Sequence, residues 1–294
     1  MSTSPLAAAV TGWYAANARD LPWRAPEATA WGILVSEVML QQTPVARVQP
    51  VWEAWMERWP TATDLAEASP GDAIRAWGRL GYPRRALRLH ATATTIASTY
   101  AGEVPADYED LLSLPGIGEY TAAAVASFAF GDRRAVLDTN VRRVLARAVG
   151  GQQAPPPSLT KAERDRAVAL LPDDEAPLWA VAVMELGALV CTAAAPACDR
   201  CPLRSDCAWL AAGAPVDHQA VRRTQPWIGT DRMVRGKLMA RVREAPGSVP
   251  QAALDLVWPE PVQRERALAG LIEDGLLVVE DGWFALPGPA TPSR

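Results

Sequence analysis

The chain has 294 residues, of which 49% are hydrophobic and 21% charged, and its net charge is −4. This balance excludes an intrinsically disordered chain and predicts one domain of about 200 residues with a smaller second one. The acidic charge excludes a uniformly basic nucleic-acid binder but allows a local basic face. The apolar runs are too short or too interrupted for a membrane span, and no basic residue precedes Arg19 as it would in a secretory signal. We therefore expect a cytoplasmic protein with no membrane partner.

Helical periodicity dominates the chain from residue 31 to the cysteines. Apolar residues recur at helical spacing, no stretch alternates as a strand does, and prolines interrupt the pattern at Pro60 and in the 151–158 segment. These signals predict a mainly α fold. The predicted helices cover residues 31–41, 47–59, 63–67, 71–80, 84–100, 122–130, 141–149, 160–171 and 178–191.

A connection between two of these helical stretches reads LPGIGEYT, residues 114–121. Gly116 and Gly118 allow a sharp turn and a close approach of the backbone to a ligand, and the amides at the start of the next helix suit a phosphate. The pattern is typical of a helix–hairpin–helix motif. The alternative is a helix connection that happens to contain two glycines. Further along, Asp138 closes an apolar run where the next helix begins, which is also the position of an ordinary N-cap.

The four cysteines of the chain lie within seventeen positions, at Cys191, Cys198, Cys201 and Cys207. Two disulfides in so short a loop would be unusual in a chain without an export signal, so the spacing indicates a metal site. Only one pair has the C-x2-C spacing of a zinc knuckle. The wider gaps favour an iron–sulfur cluster over zinc, which stays the alternative.

The character of the sequence changes after the cysteines. Residues 214–227 mix turn residues and charges as linkers do, and amphipathic helices are predicted at 231–244 and 261–274. Two apolar runs then flank Asp281-Gly282, a strong β-hairpin signal. Helices followed by a terminal hairpin predict a small winged-helix-like module. From Val216 onward the chain has ten basic and ten acidic residues, so charge alone does not make this module a DNA reader.

These motifs together resemble the helix–hairpin–helix DNA glycosylases of the endonuclease III superfamily, and within it the MutY-type adenine glycosylases. The resemblance covers roughly residues 10–212 and depends on the order of several motifs as well as the cysteine spacing. The motifs are LPWR at 21–24, SEVMLQQT at 36–43, LGYPRRA at 80–86, LPGIGEYT at 114–121, LDTNVRRVL at 137–145 and MELGALVC at 184–191.

The resemblance implies a two-lobed fold with a catalytic groove between the lobes. One lobe would be a six-helix bundle with the helix–hairpin–helix, here residues 26–134. The other would hold a [4Fe–4S] cluster on the four cysteines and consist of residues 1–25 and 135–212. A linker, 213–226, and the winged-helix-like module, 227–294, would complete the chain. The partner is double-stranded DNA with a mismatch or an oxidised guanine, and we expect a monomer associated with the bacterial nucleoid.

The resemblance also assigns the chemistry. Glu37 is the predicted acid that protonates adenine, and Asp138 is the carboxylate that stabilises the cationic sugar, with Asn140 and Tyr120 orienting it. We expect the positive end of a helix to favour the ionised form of Asp138. At the position of Tyr120 bifunctional relatives carry a lysine that attacks the sugar, so this chain is predicted to be a monofunctional DNA glycosylase.

Further residues match positions of the family that contact DNA. Gln42 and Tyr82, with Leu80 beside them, match the wedge that fills the gap left by the extruded base. The predicted base pocket contains Trp23, Arg24, Trp31 and Glu185, although the tryptophans could equally be core residues. The predicted phosphate contacts are Gly116, Gly118, Arg84, Arg85, Arg88, Arg142, Arg143 and Arg147.

The C-terminal region departs from the family pattern. The usual domain that recognises 8-oxoguanine opposite adenine has no counterpart in the residues after the cysteines. We therefore expect the wedge, rather than the C-terminal region, to read the opposite base. The predicted function is excision of adenine mispaired with 8-oxoguanine or guanine. The alternatives are a mismatch glycosylase for thymine or uracil opposite guanine and a non-catalytic iron–sulfur DNA-binding regulator.

Overall fold

The computed structural model describes residues 4–216 and 229–288. The predicted linker from 217 onward, the start of the predicted C-terminal module and the last six residues lie outside the described residues. The helices are α1 (Pro5–Asn17), α2 (Ala30–Leu40), α3 (Val45–Arg58), α4 (Ala62–Glu67), α5 (Pro70–Trp77), α6 (Arg84–Thr99), α7 (Tyr108–Ser113), α8 (Glu119–Phe130), α9 (Thr139–Ala148), α10 (Lys161–Ala169), α11 (Ala176–Leu189), α12 (Ala208–Ala211), α13 (Asp231–Glu244), α14 (Gln251–Asp255) and α15 (Pro261–Glu273). The prediction of a mainly helical fold is confirmed.

Helix boundaries follow from local capping. Thr61 and Thr160 each begin a helix with a capping box. The threonine hydroxyl accepts a hydrogen bond from the backbone amide three residues on, and the acidic side chain of that residue accepts one from the threonine backbone amide. Asp138 caps α9 and Thr230 caps α13 in the simpler one-way form. These caps explain why the predicted boundaries come close to the observed ones.

Contacts between Cα atoms divide the described residues into two units. The first unit contains residues 4–33, 106–112 and 117–216. Its core joins α1, α9 and α11, and Val10, Val183 and Leu186 are fully buried there. Helix α1 is not predictable from the sequence, because its alanine-rich stretch has no strong amphipathic pattern and its buried side chains pack on residues far along the chain.

The second unit contains residues 34–105, 113–116 and 229–288. Three tryptophans form its aromatic core, with the rings of Trp59 and Trp77 edge-on to Trp55 at centroid distances of 4.9 and 5.7 Å. The division differs from the predicted domains, since α8 belongs to the first unit and the C-terminal helices belong to the second. The domain boundaries predicted from the sequence stay a prediction.

The C-terminal segment, residues 229–288, carries the described β-structure. Strands β1 (Val249–Pro250), β2 (Val278–Glu280) and β3 (Trp283–Ala285) form an antiparallel sheet in the order β1-β3-β2. The predicted hairpin at Asp281-Gly282 is therefore confirmed, with both turn residues at positive φ. Strand β1 was missed because two residues carry no periodicity. Among the described residues, no helix combines the length and apolarity that crossing a bilayer requires.

Candidate functional site

The Asp138 carboxylate is held at the start of α9 in the first unit. Its Oδ1 accepts a hydrogen bond from the Val141 amide at 2.6 Å, and its Oδ2 accepts one from the Asn140 side-chain amide at 2.7 Å. The amide at the helix start favours the ionised form of Asp138, as expected, while burial opposes it. Burial raises the pKa of Asp138, and the two hydrogen bonds and the nearby Arg143 charge only partly oppose it.

Asn140 is in turn oriented by Arg143. The Arg143 guanidinium donates to Asn140 Oδ1 at 2.8 Å and to the Gly187 carbonyl at 2.7 Å. A side chain on Gly187 would come within 2.7 Å of Asn140 Cβ, so the glycine of the MELG motif lets α11 approach α9 closely. Arg143 also donates to the Cys191 carbonyl at 2.7 Å. The Arg143 guanidinium is thus used inside the protein, and its phosphate contact stays a prediction.

Tyr120 lies in the first turn of α8, half-buried against the cluster formed by Ala123, Ala124, Val136 and Ala180. No lysine occupies its position. The two lysines of the chain lie elsewhere: Lys161 is exposed and paired with Asp165 at 2.6 Å, and Lys237 lies on α13 with its ammonium 4.8 Å from the Trp258 ring centroid.

Glu185, from the predicted base pocket, is fully buried in the first unit and bound by two arginines. Arg19 donates to both of its oxygens at 2.7 Å, and Arg24 donates to Oε2 at 3.0 Å. Although burial opposes ionisation, the arginine hydrogen bonds and charges lower the pKa of Glu185 to about 2. Arg19 is not among the predicted site residues, because its only signal in the sequence is a basic residue just before the LPWR motif. Trp23 and Trp31 are both buried, as core residues would be.

Glu37 lies in α2 within the second unit and is 5% exposed. Its neighbours in the helix, Val35, Ser36 and Val38, are also buried. The Glu37 carboxyl group is therefore largely removed from water, which is uncommon for a glutamate in a folded protein.

The two predicted wedge residues share an uncommon backbone conformation. Gln42 has φ 56° and Tyr82 has φ 49°. Both values lie in the left-handed region, which residues other than glycine rarely adopt. Gln42 is exposed and Tyr82 is 42% exposed, so both can reach a ligand. Leu80 does not belong with them, because its side chain is buried in the second unit. The loops concerned are 41–44, between α2 and α3, and 78–83, between α5 and α6.

Arg85 joins these two loops. The prediction that it contacts a phosphate does not agree with its buried position. Its side chain is buried, and burial lowers its pKa to about 10. The guanidinium donates, at 2.5–3.1 Å, to the backbone carbonyls of Val38, Met39, Gln41 and Gly81 and to the Thr43 hydroxyl. One buried cation therefore fixes the backbone beside both Gln42 and Tyr82.

The connection between α7 and α8 has the predicted helix–hairpin–helix form. Gly116 has φ 79°, and a Cβ there would lie 2.7 Å from Arg88 Cβ, so this position requires glycine. Gly118 is the N-cap of α8 and has open space beside it. Arg88 is exposed next to this turn and remains a suitable phosphate contact. Arg84 is half-exposed and paired with Asp274 at 3.1 Å.

The remaining predicted phosphate contacts are engaged in the first unit. Arg142 pairs with Glu163 at 2.9 Å. Arg147 is buried, lies over the Trp209 ring and donates to the Cys191 sulfur at 3.5 Å and to the Thr192 carbonyl at 2.7 Å. The burial of Arg147 argues against a phosphate contact there, whereas the contact at Arg142 stays a prediction.

All four cysteines are free and line one cavity of the first unit. The cavity is otherwise lined mainly by apolar side chains such as Val144, Leu186 and Leu203, with Arg147 as the charged exception. Burial raises the pKa of the Cys201 thiol to about 11. Within the described residues, no three His, Cys, Asp or Glu side chains converge closely enough to hold a single metal ion.

The sequence matches known proteins along its whole length. The profile of the HhH-GPD superfamily base excision DNA repair proteins matches residues 35–169. The chain is 54% identical to the adenine DNA glycosylase of Mycolicibacterium smegmatis over 297 residues, covering 100% of this chain and 99% of that one. It is 41% identical to the human adenine DNA glycosylase over 204 residues, which cover 66% of this chain and 37% of the human one.

Solved structures agree on the fold. A thermostable thymine-DNA glycosylase superposes with a TM-score of 0.64 and 25% identity, over 70% of this chain and 95% of that one. An endonuclease III in a non-covalent DNA complex superposes with a TM-score of 0.60 and 23% identity, over 71% and 96%. The higher identity and fuller coverage of the adenine glycosylases decide the placement within the superfamily. The chain belongs to the MutY-type adenine DNA glycosylases.

Proposed function

We propose that this chain is a monofunctional DNA glycosylase that removes adenine mispaired with 8-oxoguanine or guanine during base excision repair. The observation that carries the proposal is the 54% identity to an adenine DNA glycosylase over the full length of both chains. The geometry around Asp138 and Glu37 supports it, because each carboxyl group is held in a distinct and largely desolvated environment.

Hydrolysis of the N-glycosidic bond requires a proton on the leaving base and a negative charge beside the sugar. Glu37 is the proposed acid, delivering a proton to a ring nitrogen of adenine so that the base leaves neutral. Asp138 is the proposed stabiliser of the cationic sugar, and water then adds to the sugar carbon to complete the hydrolysis. Asn140 holds the Asp138 carboxylate, and we assign Tyr120 to the same surroundings.

The absence of a lysine at Tyr120 supports the monofunctional assignment. A Schiff base to the sugar requires an amine nucleophile, and a phenol cannot form one. Lys161 already pairs with Asp165, and Lys237 belongs to the C-terminal segment. The expected product is therefore an abasic site in an intact strand.

The four cysteines fit a [4Fe–4S] cluster better than a single zinc ion. All four line one cavity of the first unit, and the wide first and last gaps between them along the chain suit a group larger than one ion. Cys191, Cys198, Cys201 and Cys207 would hold the cluster, which would supply a structural cross-link for the 191–207 loop. Arg147 donates to the Cys191 sulfur at 3.5 Å, a contact that would orient this cysteine as a ligand.

The cluster assignment predicts a brown protein with iron in stoichiometric amount. Cys198→Ser should lower the folded yield or the DNA affinity more than the rate of base excision, because the cysteines belong to the scaffold rather than to the carboxyl groups. Iron and zinc analysis, visible absorption and single-turnover kinetics measure these effects. Stoichiometric zinc without iron would contradict the assignment.

We propose that the C-terminal segment has a winged-helix-like fold. We also propose that DNA is the partner of the whole chain. The order α13, β1, α14, α15, β2, β3 is that of a winged helix, and endonuclease III, a superfamily relative, has been solved in complex with DNA. Gly118, Arg88 and the exposed residues Gln42 and Tyr82 are the proposed contacts. A monomer associated with the nucleoid is sufficient for this reaction.

The deciding experiment measures base excision from matched duplexes containing A:8-oxoG, A:G, A:C, T:G and U:G, each with and without hot alkali. We expect adenine excision from the first two, with strand breaks only after alkali. Excision confined to T:G and U:G would favour the thymine and uracil alternative, for which the thymine-DNA glycosylase fold match is the motive. Binding without excision on every duplex would favour the regulator.

A further inference from the structure

The C-terminal segment contacts the end of α5, immediately before the predicted wedge loop. Arg75 on α5 donates to the backbone carbonyl of Ala245 at 2.9 Å and to that of Arg243. Arg243 in turn donates to the Gly78 carbonyl at 2.6 Å, inside the 78–83 loop. The Gly71 amide donates to the Pro287 carbonyl at 2.8 Å. The segment is therefore hydrogen-bonded to the structure that carries the loop.

A second set of contacts holds the other end of the same loop. Arg84, the first residue of α6, pairs with Asp274 at 3.1 Å. Asp274 lies at the end of α15 and also pairs with Arg235 of α13. The 78–83 loop is thus bounded on both sides by contacts to residues 229–288.

Between these two attachments, the C-terminal segment touches Tyr82 itself. The Arg232 guanidinium lies 4.7 Å from the centroid of the Tyr82 ring, within the range of a cation–π interaction, and Arg85 lies 5.4 Å from the same centroid. Tyr82 has a left-handed φ and is 42% exposed. A half-exposed ring on an uncommon backbone conformation gains orientation from each such contact.

We propose that Arg232 is a positioning residue that sets the discrimination between bases opposite adenine, by holding Tyr82 ready to enter the duplex. The inference rests on the proposed glycosylase function. Specificity is a difference between two binding free energies, and a side chain that is already oriented loses less entropy when it meets the preferred base. The C-terminal segment then contributes to reading the opposite base through the wedge, without contacting that base itself.

The test uses the full chain and duplexes with 2′-fluoro-2′-deoxyadenosine, whose glycosidic bond resists cleavage, opposite 8-oxoguanine or cytosine. The discrimination is measured as the dissociation constant of the cytosine duplex divided by that of the 8-oxoguanine duplex. Arg232→Gln should lower this ratio about two- to fivefold, the size of an exposed cation–π contact. Arg232→Lys should restore most of it because the positive charge remains. Arg241→Gln, which removes an exposed arginine of the same helix, should leave the ratio unchanged.

A double-mutant cycle separates positioning from direct DNA contact. If Arg232 acts through Tyr82, Arg232→Gln should have no further effect on the ratio in a Tyr82→Ala background. The inference would be overturned if Arg232→Gln weakened binding to both duplexes equally or left the ratio unchanged. It would also be overturned if the effects of the two substitutions were additive, or if the ratio of the wild type were near one. Excision of cleavable adenine by the wild type tests the proposed function separately, so the two failures are distinguishable.

Discussion

The Asp138 site and the pair of wedge loops position their functional groups by different means. Asp138 is held by side-chain and amide donors that also act on its charge, and Arg143 extends the network to Asn140. The loops with Gln42 and Tyr82 are held through their carbonyls by the buried Arg85. The same hydrogen bonds set both the pKa and the position of a catalytic carboxylate, whereas side chains that enter the duplex need a rigid backbone. Substitutions should therefore separate electrostatic from mechanical support.

Removing the charge at the chemical site should have the largest effect. Asp138→Asn and Glu37→Gln should each reduce the single-turnover rate of adenine excision by at least about a hundredfold while mismatched DNA is still bound. The shape of the site persists in both variants, so the loss reports on charge and protonation. Excision and DNA affinity are measured on the same A:8-oxoG duplex. Rates within a few-fold of wild type would move the chemistry to other residues.

Removing the support of the wedge should instead cost stability. Arg85→Met leaves several buried carbonyls without a donor and should lower the free energy of unfolding by about 2–3 kcal/mol. The matched control is Arg88→Met on the same helix, whose exposed guanidinium should change stability by less than about 0.5 kcal/mol.

The same pair of variants separates support from DNA contact. Arg88→Met should weaken DNA binding and reduce its salt dependence, whereas Arg85→Met should not change the salt dependence. Denaturant unfolding and binding titrations at several salt concentrations measure both. Equal loss of stability in the two variants would argue against Arg85 as the link between the loops.

Weakening one donor to Asp138 should have the smallest effect, a shift of the pH profile. Burial already raises the pKa of Asp138, and the Asn140 hydrogen bond opposes that rise. Asn140→Ala removes the opposing donor, so the pKa rises further and the acid limb of the excision profile moves to higher pH. Asn17→Ala, an exposed amide on α1, is the control that keeps the limb in place. A shift to lower pH would show that Asn140 does not stabilise the ionised carboxylate.

Much of the fold could be predicted because its signals are local. Helix α13 begins and ends where the periodicity and its Thr230 cap indicate, and the Asp281-Gly282 turn joins two strands as its residues require. Helix α1 and strand β1 could not be predicted, since the former depends on packing against α11 and the latter on pairing with β3. Their stabilising partners lie far away in the chain.

The sequence by itself determined the family, the catalytic candidates Glu37 and Asp138, the cysteine set and the need for glycine at Gly116. Only the tertiary structure decided how the arginines are used. Arg84, Arg85 and Arg143 all look like phosphate contacts in sequence, yet one pairs with Asp274, one joins two loops and one orients Asn140. The physical reason is that a guanidinium has five hydrogen-bond donors, and the spacing of arginines along the sequence does not show which acceptors they will meet. Its role depends on which carbonyls and carboxylates folding brings within 3 Å or so of it.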